Sequence, residues 1–484
     1  MATTCAVFLL IFAAFAVADV SKMQYDTIVV GLGSAGVTAA STLARAGKKV
    51  LGLEAQDRIG GRVNTVQFGD GVVELGAEWI HGERPSRVYD TAIKNNISII
   101  SQDLTMEAFN SDGSRADSQL VNDLINFCIS SLDGGSNDTE PLSSFITRKL
   151  KDHLKETSPQ LLENDVFMEA FLDLMDLIVD NYEGSNSWND VSTYTHYKEL
   201  EGDQHLSWHR NGYKTFFELL LNTYNGGPGL SNLDIKLNTE VTKINWPLTP
   251  STPVEVKCKN GEVYKAQNVI ITVSIGVLKE RHGKLFHPPL PKDKVEAIER
   301  LNIGVMDKIV FSFENAWWPK HVTFFAFLWK KEDKMNVPAE DAWMTRIFGA
   351  SSPMGSSNTL TLWTSGESGK LVETLPEDVV KRKSVELLKK FLGANITVPE
   401  PTGMLRTTWY SNPYTRGSYS FDSVTSMRYP SSRADLGKPL VDSAGTPKVL
   451  FAGEATELSH FSTVHGASET GFREANRLLP SSKI

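Results

Sequence analysis

Residues 25–36, which read YDTIVVGLGSAG, decide the fold of this chain. Their Ile-Val-Val run predicts a strand buried on both faces, as in parallel sheets. Small residues follow in VTAASTLARAG and predict a helix packed closely on that sheet. Residues 48–55, KKVLGLEA, predict the next strand. Because sequential parallel strands need a helical crossover, the segment is predicted to form a β-α-β unit.

The turn between the first strand and the helix has the spacing G-x-G-x-x-G. In such a turn Gly31 makes the tight bend, Gly33 lets backbone approach a pyrophosphate, and Gly36 permits close helix packing. Ser34 and Ala35 open the helix, whose N-terminus carries partial positive charge. A glycine-rich turn without a ligand is the alternative, but the flanking strand and helix favour dinucleotide binding.

An acidic residue lies at the end of the second predicted strand. Glu54 follows Gly31 by 23 residues and is placed to accept hydrogen bonds from a ribose 2′-hydroxyl. An acid at this position disfavours a 2′-phosphate and therefore NADP.

Composition bounds the other classes of function. The 484 residues carry a net charge of −9, with 41% hydrophobic and 22% charged residues, as in soluble globular proteins of several domains. No basic block is present, so a nucleic-acid partner is not expected. The three cysteines, Cys5, Cys128 and Cys258, form no metal-binding spacing, and no metal site is expected. Since Cys5 lies in an apolar leader, a mature chain could hold at most one disulfide.

That leader, residues 6–18, reads AVFLLIFAAFAVA. It is shorter than the roughly 20 residues of a membrane-spanning helix, and its small residues before Asp19 resemble a cleavage site. We therefore expect a signal peptide at 1–18, secretion and no stable membrane insertion. Because MATTC lacks a basic segment, an uncleaved leader on an intracellular protein and a buried first strand stay open as alternatives. Glycosylation acceptors at Asn96, Asn137 and Asn395 agree with secretion.

Further along, apolar spacing predicts mostly helices over 101–230 and strands over 232–280. The second of these regions ends in NVIITVSIGVLK (268–279), interpreted as one buried strand, and residues 304–314 and 448–455 predict two more. The predicted fold class is α/β, with two domains built from interleaved segments. A Rossmann-like domain takes residues 24–95, 207–303 and 428–484, and a second domain of mixed sheet and helices takes 96–206 and 304–427.

Two blocks after the first unit carry a family resemblance: EAQDRIGGRVNT at 54–65 and ELGAEWIHG at 74–82. They resemble the flavin-containing amine oxidases. Further blocks in family order lie at 272–279, 304–314, 409–420 and 451–475. The region 101–205 matches least well.

The resemblance implies FAD as the cofactor. No cysteine follows Cys258, so attachment of FAD through a C-terminal cysteine, as in monoamine oxidases, is excluded and non-covalent FAD is expected. Arg62 is expected to neutralise the cofactor phosphates, with a surface salt bridge as the alternative. Besides these residues and the first glycine-rich turn, the resemblance implies cofactor contacts at Gly76, Ala77, Glu78, Trp79, Val241, Trp409, Glu454, Thr463 and Val464.

Within the family the chain is most similar to the polyamine oxidases. In that branch the histidine of the WIHG block, here His81, lines the substrate tunnel. Tyr419 matches the aromatic residue beside the reacting carbon, and Thr463 lies where monoamine oxidases can have a second aromatic residue. Lys308 matches the lysine that holds a water near flavin N5. Glu183 is either an acid that receives a distal ammonium or a solvated loop acid.

The implied reaction is oxidation of spermine, spermidine or an acetylated form at a secondary amine, by hydride transfer to flavin N5. It gives an aldehyde, a shorter amine and, with dioxygen, hydrogen peroxide. A secreted L-amino-acid oxidase, with Arg416 holding the substrate carboxylate, is one alternative. An NAD-dependent dehydrogenase would not explain the later blocks. A non-enzymatic polyamine-binding protein would not need the lysine of the N5 side.

Overall fold

The computed structural model describes residues 25–132 and 139–480. The predicted signal peptide, Cys5 and Asn137 lie outside the described residues. Asn96 and Asn395 are both exposed.

The strands, numbered in chain order, are mostly short. They are β1 (Tyr25–Val30), β2 (Val50–Leu53), β3 (Thr65–Phe68), β4 (Gly71–Glu74), β5 (Trp79–Ile80), β6 (Ile100–Ser101), β7 (Met106–Asn110), β8 (Leu206–Ser207), β9 (Leu233–Lys236), β10 (Val241–Asn245), β11 (Val254–Cys258), β12 (Val263–Ile271), β13 (Phe286–His287), β14 (Asn302–Ile303), β15 (Met306–Ser312), β16 (Phe324–Leu328), β17 (Gly349–Ser351), β18 (Thr359–Ser365), β19 (Gly403–Arg406), β20 (Ser420–Phe421), β21 (Leu440–Val441) and β22 (Pro447–Phe451).

The α-helices are numbered in the same way. They are α1 (Ser34–Arg45), α2 (Arg87–Lys94), α3 (Ser118–Ser130), α4 (Leu142–Thr157), α5 (Pro159–Leu162), α6 (Asp165–Glu183), α7 (Lys214–Leu220), α8 (Ile275–Leu285), α9 (Lys292–Arg300), α10 (Lys331–Met335), α11 (Gly366–Thr374), α12 (Glu377–Leu392), α13 (Ser432–Gly437) and α14 (Val464–Arg477).

The first sheet has nine strands, with β1 near its middle. β1 pairs in parallel with β2 and β12, which in turn pair in parallel with β9 and β22. An antiparallel extension through β11 and β10 leads to β13 at one edge. Helices α1 and α14 pack together on this sheet, where the Thr38 and Ser468 hydroxyls lie 2.9 Å apart. The predicted β-α-β unit is confirmed, and the late strand at 447–451 does return to the first sheet.

The second sheet has six strands in the order β19-β15-β18-β17-β16-β7. Its strand β16 is buried on both faces. Successive side chains of the strand point to opposite sides of the sheet, and each side packs against helices. Phe324, Ala326 and Leu328 pack with the apolar faces of α3, α4 and α6. Phe325 and Phe327 pack with α12. Together the two sheets confirm the predicted fold class, while the domain boundaries stay a prediction.

One strand prediction is wrong at its end. Strand β12 stops at Ile271, and residues 275–279 of the predicted strand form the start of helix α8. Ser274 caps this helix by accepting a hydrogen bond from the Val277 N–H at 3.3 Å. A serine before an apolar segment is a helix-start signal that competes with strand periodicity here.

Cys128 and Cys258 are both buried free thiols. Within residues 25–132 and 139–480, no helix is long and apolar enough to cross a membrane. In the same ranges, no cluster of three or more His, Cys, Asp and Glu side chains is arranged to hold a metal ion. Four apolar clusters of buried residues extend over both sheets.

Candidate active site

A cavity of about 1320 Å³ lies between the two sheets. It begins at the carboxyl ends of β1 and β2, where Gly31 and Glu54 line it, and reaches Phe324 and Trp363 of the second sheet. We call the part lined by the glycine-rich turns the nucleotide end. The part lined by Trp79, Trp363 and Tyr419 is the amine end.

Glycines shape the nucleotide end because backbone must come very close to backbone there. Gly31 has a φ of +91°, and a Cβ on Gly36 would lie 2.0 Å from the Gly31 carbonyl oxygen. Gly36 does not line the cavity, so its role is the packing of α1 against the turn. Gly33, Ser34 and Ala35 do line it, and no side chain caps the first turn of α1. The free N–H groups of that turn are suited to bind a phosphate.

A second glycine turn lies against the first. Gly60 and Gly61 have φ of +111° and +58°, and Gly60 bridges to Gly33. Both line the cavity, as do Gly76 and Ala77 further on. A Cβ on Gly76 would lie 1.9 Å from the carbonyl oxygen of Arg62. These turns leave an uncrowded cradle of backbone amides, which fits the pyrophosphate of a dinucleotide.

Glu54 and Val241 line the same end, as the predicted nucleoside contacts. The carboxylate of Glu54 accepts hydrogen bonds from the N–H groups of Leu32 at 2.7 Å and Gln56 at 2.9 Å. Burial raises its pKa. Each carboxylate oxygen of Glu54 keeps a second lone pair, so Glu54 can still accept a hydrogen bond from a ribose hydroxyl.

The guanidinium of Arg62 is hydrogen-bonded to other residues of the protein. Its Nη1 donates to Glu454 Oε1 at 2.9 Å and to the Ser418 carbonyl oxygen at 2.8 Å. Glu454 also accepts from the Ser420 hydroxyl at 2.6 Å. Although burial opposes ionisation, the charge of Arg62 and the Ser420 hydrogen bond lower the pKa of Glu454. Arg62 lines the cavity as half of an ion pair with Glu454, and its expected contact with the cofactor phosphates stays a prediction.

The last cofactor block places the start of α14 in the cavity wall. Thr463 and Val464 line the cavity together with Trp409. The Thr463 hydroxyl caps α14 by accepting from the Gly466 N–H at 3.0 Å, and it donates to the His460 carbonyl oxygen at 2.7 Å. Its hydroxyl is thereby committed to the helix cap, which limits any direct part in catalysis.

Aromatic rings form the walls of the amine end. Trp79 stacks on Trp363 with ring centroids 5.8 Å apart and planes inclined by 11°. Tyr419 lines the cavity, and its hydroxyl donates to the backbone carbonyl of Asn181. Burial raises the pKa of Tyr419, so its hydroxyl stays neutral.

Lys308 lies behind this wall and is not among the lining residues. Its ammonium donates to the carbonyl oxygens of Glu74 at 2.8 Å and Gly76 at 3.0 Å, and to Glu78 Oε2 at 2.8 Å. The ammonium also lies 4.5 Å from the centroid of the Trp363 ring. Trp363 in β18 is the residue paired with Lys308 in the neighbouring strand β15. The role of Lys308 in holding a water near flavin N5 stays a prediction.

His81 lines the cavity beside the small sheet of β5, β8 and β6. Its Nδ1 lies 2.7 Å from the carbonyl oxygen of Gln204, which requires the proton on Nδ1 and leaves Nε2 as an acceptor. Burial, together with the nearby His205, lowers the pKa of His81 to about 4. The ring is therefore neutral near pH 7.

Carboxylates line the amine end more often than cations do. Glu183, at the end of α6, lines the cavity close to Asp422 and Tyr419. Burial and the charge of Asp422 raise the pKa of Glu183 to about 7. Arg416 does not line the cavity, and its guanidinium pairs with Glu280.

Several lining residues carried no signal in the sequence. Trp363 lies in an ordinary alternating strand, and the other missed residues come from the region that resembles the family least. These residues are Asn181, Tyr182, Tyr197, Glu199 and His205. The Glu78–Lys308 ion pair was also missed, because its partners are 230 positions apart.

Comparison with known proteins agrees with the geometry. The family profile described as flavin containing amine oxidoreductase matches residues 34–479. The peroxisomal N(1)-acetyl-spermine/spermidine oxidase of Bos taurus is 28% identical over 501 residues, covering 93% of this chain and 94% of the relative. The Homo sapiens protein of that name is 29% identical over 499 residues, again covering 93% and 94%. Probable polyamine oxidase 5 of Arabidopsis thaliana is 27% identical, covering 93% and 97%.

Among solved structures, putrescine oxidase bound to putrescine is similar with a TM-score of 0.68. The match has 17% identity and covers 94% of this chain and 99% of that one. The chain thus belongs to the flavin-containing amine oxidoreductases. It is an FAD-dependent amine oxidase, and the glycine cradle, the free first turn of α1 and Glu54 are the residues that fit FAD.

Proposed function

We propose that this enzyme oxidises polyamines at a secondary amine and passes the electrons to dioxygen. The products are an aldehyde, a shorter amine and hydrogen peroxide. The observation that carries the proposal is the charge of the amine end. Among the described residues, five carboxylates line it, from Glu78, Asp103, Glu183, Glu199 and Asp422, against one lysine, Lys198, and two of the five, Glu78 and Asp422, are paired with buried cations. A cavity with this charge favours a substrate with several ammonium groups.

The residues that line the cavity have different roles in the proposed reaction. Bound FAD supplies the two-electron acceptor. The aromatic walls at Trp79, Trp363 and Tyr419 favour the neutral form of the reacting nitrogen, because desolvation disfavours its charged form. Glu183 is suited to hold a distal ammonium, and the neutral His81 offers an acceptor at Nε2. Relatives named as acetylpolyamine and polyamine oxidases support the same substrate class.

The competing reaction is L-amino-acid oxidation, which needs a cation for the substrate carboxylate. Arg416 was the candidate for this role, but its guanidinium pairs with Glu280 and it does not line the cavity. Arg62 lines the cavity but is neutralised by Glu454, and Lys198 of the amine end is outnumbered by the carboxylates around it. A polyamine therefore fits the charges better than an amino acid.

The apolar leader supports a second part of the proposal: the enzyme enters the secretory pathway and acts outside the cell. Mass determination of the protein exported by a eukaryotic host tests this directly. A mature N-terminus at Asp19 is expected. A full-length chain retained inside the cell would contradict it.

Peroxide release from purified, yellow protein tests the reaction. The panel holds spermine, spermidine, N1-acetylspermine, benzylamine and several L-amino acids, and products are identified by mass. Peroxide with a polyamine, together with its aldehyde, is expected. Turnover of amino acids alone would refute the proposal, and bound FAD without any turnover would favour a binding protein.

A further inference from the structure

Two buried acids lie behind the part of the cavity wall that carries Trp409. Asp307 in β15 is fully buried, and Glu373 in α11 is 7% exposed. Oδ2 of Asp307 is directed at α11, because a Cβ on Gly369 would lie 3.3 Å from it. Glu373 follows Gly369 by four residues on the same face of this helix. The two carboxyl groups therefore meet inside the protein, away from solvent.

Both acids bind the same piece of backbone. Residues 409–419 lie between β19 and β20, and we call them the Trp409 turn. Asp307 Oδ1 accepts a hydrogen bond from the Trp409 N–H at 3.3 Å. Glu373 accepts from the next two N–H groups, those of Tyr410 and Ser411, at 2.7 Å each. The two acids thus bind three consecutive backbone donors of the turn.

The Trp409 turn forms part of the wall around the cofactor cradle. Its residues that line the cavity are Trp409, Tyr414, Thr415, Ser418 and Tyr419. The Trp409 carbonyl oxygen accepts from the Thr415 hydroxyl at 2.6 Å and from the Gly417 N–H at 2.9 Å, which closes the turn. The Trp409 ring lies 3.3 Å from where a Cβ on Gly76 would be. The backbone position of Trp409 therefore sets how this wall meets the glycine cradle.

The contact between the two acids requires a proton. Asp307 Oδ1 has the Thr407 hydroxyl as a second donor at 2.6 Å, whereas Oδ2 is buried and has no donor among the described residues. Two ionised carboxylates at this place would repel each other, and burial disfavours both charges. Burial and the charge of Glu373 accordingly raise the pKa of Asp307 well above its usual range. A proton on Oδ2 removes the repulsion and supplies a donor.

We propose that Asp307 and Glu373 share one proton and together position the Trp409 turn against the cofactor. The proton is bonded to Asp307 Oδ2 and is donated to the Glu373 carboxylate, which keeps its charge and its two backbone donors. Asp307 is then a neutral acid that accepts at Oδ1 and donates at Oδ2. The inference concerns the cofactor wall and is independent of which amine the enzyme oxidises.

The charged and titratable neighbours of the pair have partners of their own. Arg406 of β19 donates to two backbone carbonyls at the end of α11, and Lys308 of β15 donates to Glu78. Strand β18 presents Thr364, which is uncharged, opposite Asp307. The remaining groups, on α11 and the Trp409 turn, are Lys370, Tyr414, Arg416 and Tyr419, each hydrogen-bonded elsewhere. The shared proton, and not a cation, is therefore the donor for Asp307 Oδ2.

Asp307→Asn tests the proposal, because an amide donates to Glu373 without an added proton. In wild type the folded state keeps a proton that unfolded Asp307, with a pKa of about 3.9, releases. The stability from this proton is full below the unfolded pKa and is lost as pH rises towards the folded pKa. Relative to wild type, the folding equilibrium constant of Asp307→Asn should rise about tenfold from pH 5 to pH 6, and further to pH 7. Urea unfolding measures it, and a ratio that stays constant over this range would overturn the proposal.

Glu373→Gln is the second variant, since its amide can donate to Asp307 and removes the same proton. It gives up one acceptor for the Trp409 turn and should be less stable than Asp307→Asn at every pH. Its change with pH relative to wild type should nevertheless be the same. The double variant should show no larger change, because only one proton is shared. Changes that add in the double variant would overturn the proposal.

Asp442→Asn is the matched control. Asp442 is a buried acid that also accepts from two backbone N–H groups, of Ala444 and Thr446, but its partner is a cation, Lys448. Although burial opposes ionisation, these hydrogen bonds and the charge of Lys448 lower the pKa of Asp442. The stability of Asp442→Asn relative to wild type should therefore stay constant between pH 5 and pH 7.

The positioning role is measured by the release of flavin, followed by fluorescence on dilution at pH 7. Asp307→Ala removes both the acceptor for the Trp409 N–H and the donor to Glu373, so it should weaken FAD binding about tenfold or more. Asp307→Asn keeps both groups and should bind FAD like wild type. Equal losses in the two variants, or an unchanged affinity in Asp307→Ala, would overturn the positioning role. If Asp307→Ala does not fold, Glu373→Gln replaces it, and an unchanged affinity there has the same meaning.

Discussion

The two ends of the cavity are built in opposite ways. At the nucleotide end, one stretch of sequence from Gly31 to Gly76 supplies two glycine turns, and backbone amides make the site. At the amine end, side chains make the site, and they come from segments as distant as Glu78 and Tyr419. The nucleotide end is suited to binding because its glycines lack side chains, so a ligand can approach the backbone. The amine end is suited to binding because buried charges and aromatic rings pack against each other there.

This contrast explains why the ends should tolerate substitution differently. A backbone cradle has no freedom to move aside, so any added atom collides with it. Removing one member of a buried ion pair lowers stability, because the other charge is then buried without a partner. Changes at the first end should therefore act through packing, and changes at the second through charge.

The largest effect is expected at the buried ion pair of the amine end. Lys308→Met should lower the free energy of unfolding by about 3–5 kcal/mol, because it leaves the Glu78 carboxylate buried without its cation. The double variant Lys308→Met/Glu78→Leu should lose less than the single one. Urea unfolding measures both, with Lys94→Met in the exposed Asp90 pair as a control expected within about 0.5 kcal/mol of wild type. A double variant that loses as much as Lys308→Met alone would contradict the cost assigned to an unpaired Glu78 carboxylate.

At the nucleotide end, Gly36→Ala should cost about 3 kcal/mol and most of the bound flavin. The new Cβ would lie 2.0 Å from the carbonyl oxygen of Gly31, and backbone there cannot withdraw. Gly283→Ala is the matched control, since a Cβ on this helical glycine meets nothing within 4 Å and should be neutral or slightly stabilising. The ratio of flavin to protein absorbance and the unfolding temperature report both effects. A yellow, stable Gly36→Ala protein would contradict the close approach.

Acid should destabilise the fold through buried histidines, of which His465 in helix α14 is one. Burial lowers the pKa of His465 to about 3, so its contribution to stability is present above the unfolded pKa near 6.5 and is lost as pH falls towards 3. Relative to wild type, His465→Leu should gain about 2 kcal/mol between pH 7 and pH 5. The comparison with wild type is needed because Glu74, whose pKa is raised to about 7, changes stability in the opposite direction. Urea unfolding at both pH values measures the gain, and His321→Leu, at an exposed site, should show none.

The smallest effect is expected for one acid of the amine end. Above pH 7, Glu183→Gln should raise the KM for spermine about tenfold, the equivalent of about 1.4 kcal/mol. Because the pKa of Glu183 is raised to about 7, wild type and variant should converge below pH 6, where the acid is protonated. The KM for benzylamine, which has no distal ammonium, should stay the same. A change of equal size for both substrates would assign Glu183 a general structural role, and the exposed Glu163→Gln controls for lost surface charge.

The sequence by itself determined a set of local residues at the nucleotide end that the structure brings together around one cavity. Gly31, Gly33 and Gly36 act through local backbone geometry, which depends on spacing along the chain and on neighbours a few positions away. Glu54 is fixed by the length of one β-α-β unit for the same reason. One error in this part of the chain, the strand predicted through 268–279, arose where a helix cap at Ser274 competed with an apolar run.

Only the tertiary structure decided the amine end. Lys308 was recognisable as a residue, but its hydrogen bonds to Glu74, Gly76 and Glu78 follow from the crossing of β15 behind a turn 230 positions earlier in the chain. In the same way, Arg416 could be excluded only once its pairing with Glu280 was visible. Spacing along a chain predicts contacts that are local. Long-range pairings depend on how whole sheets pack, and at this end those pairings set which charges are free to meet a substrate.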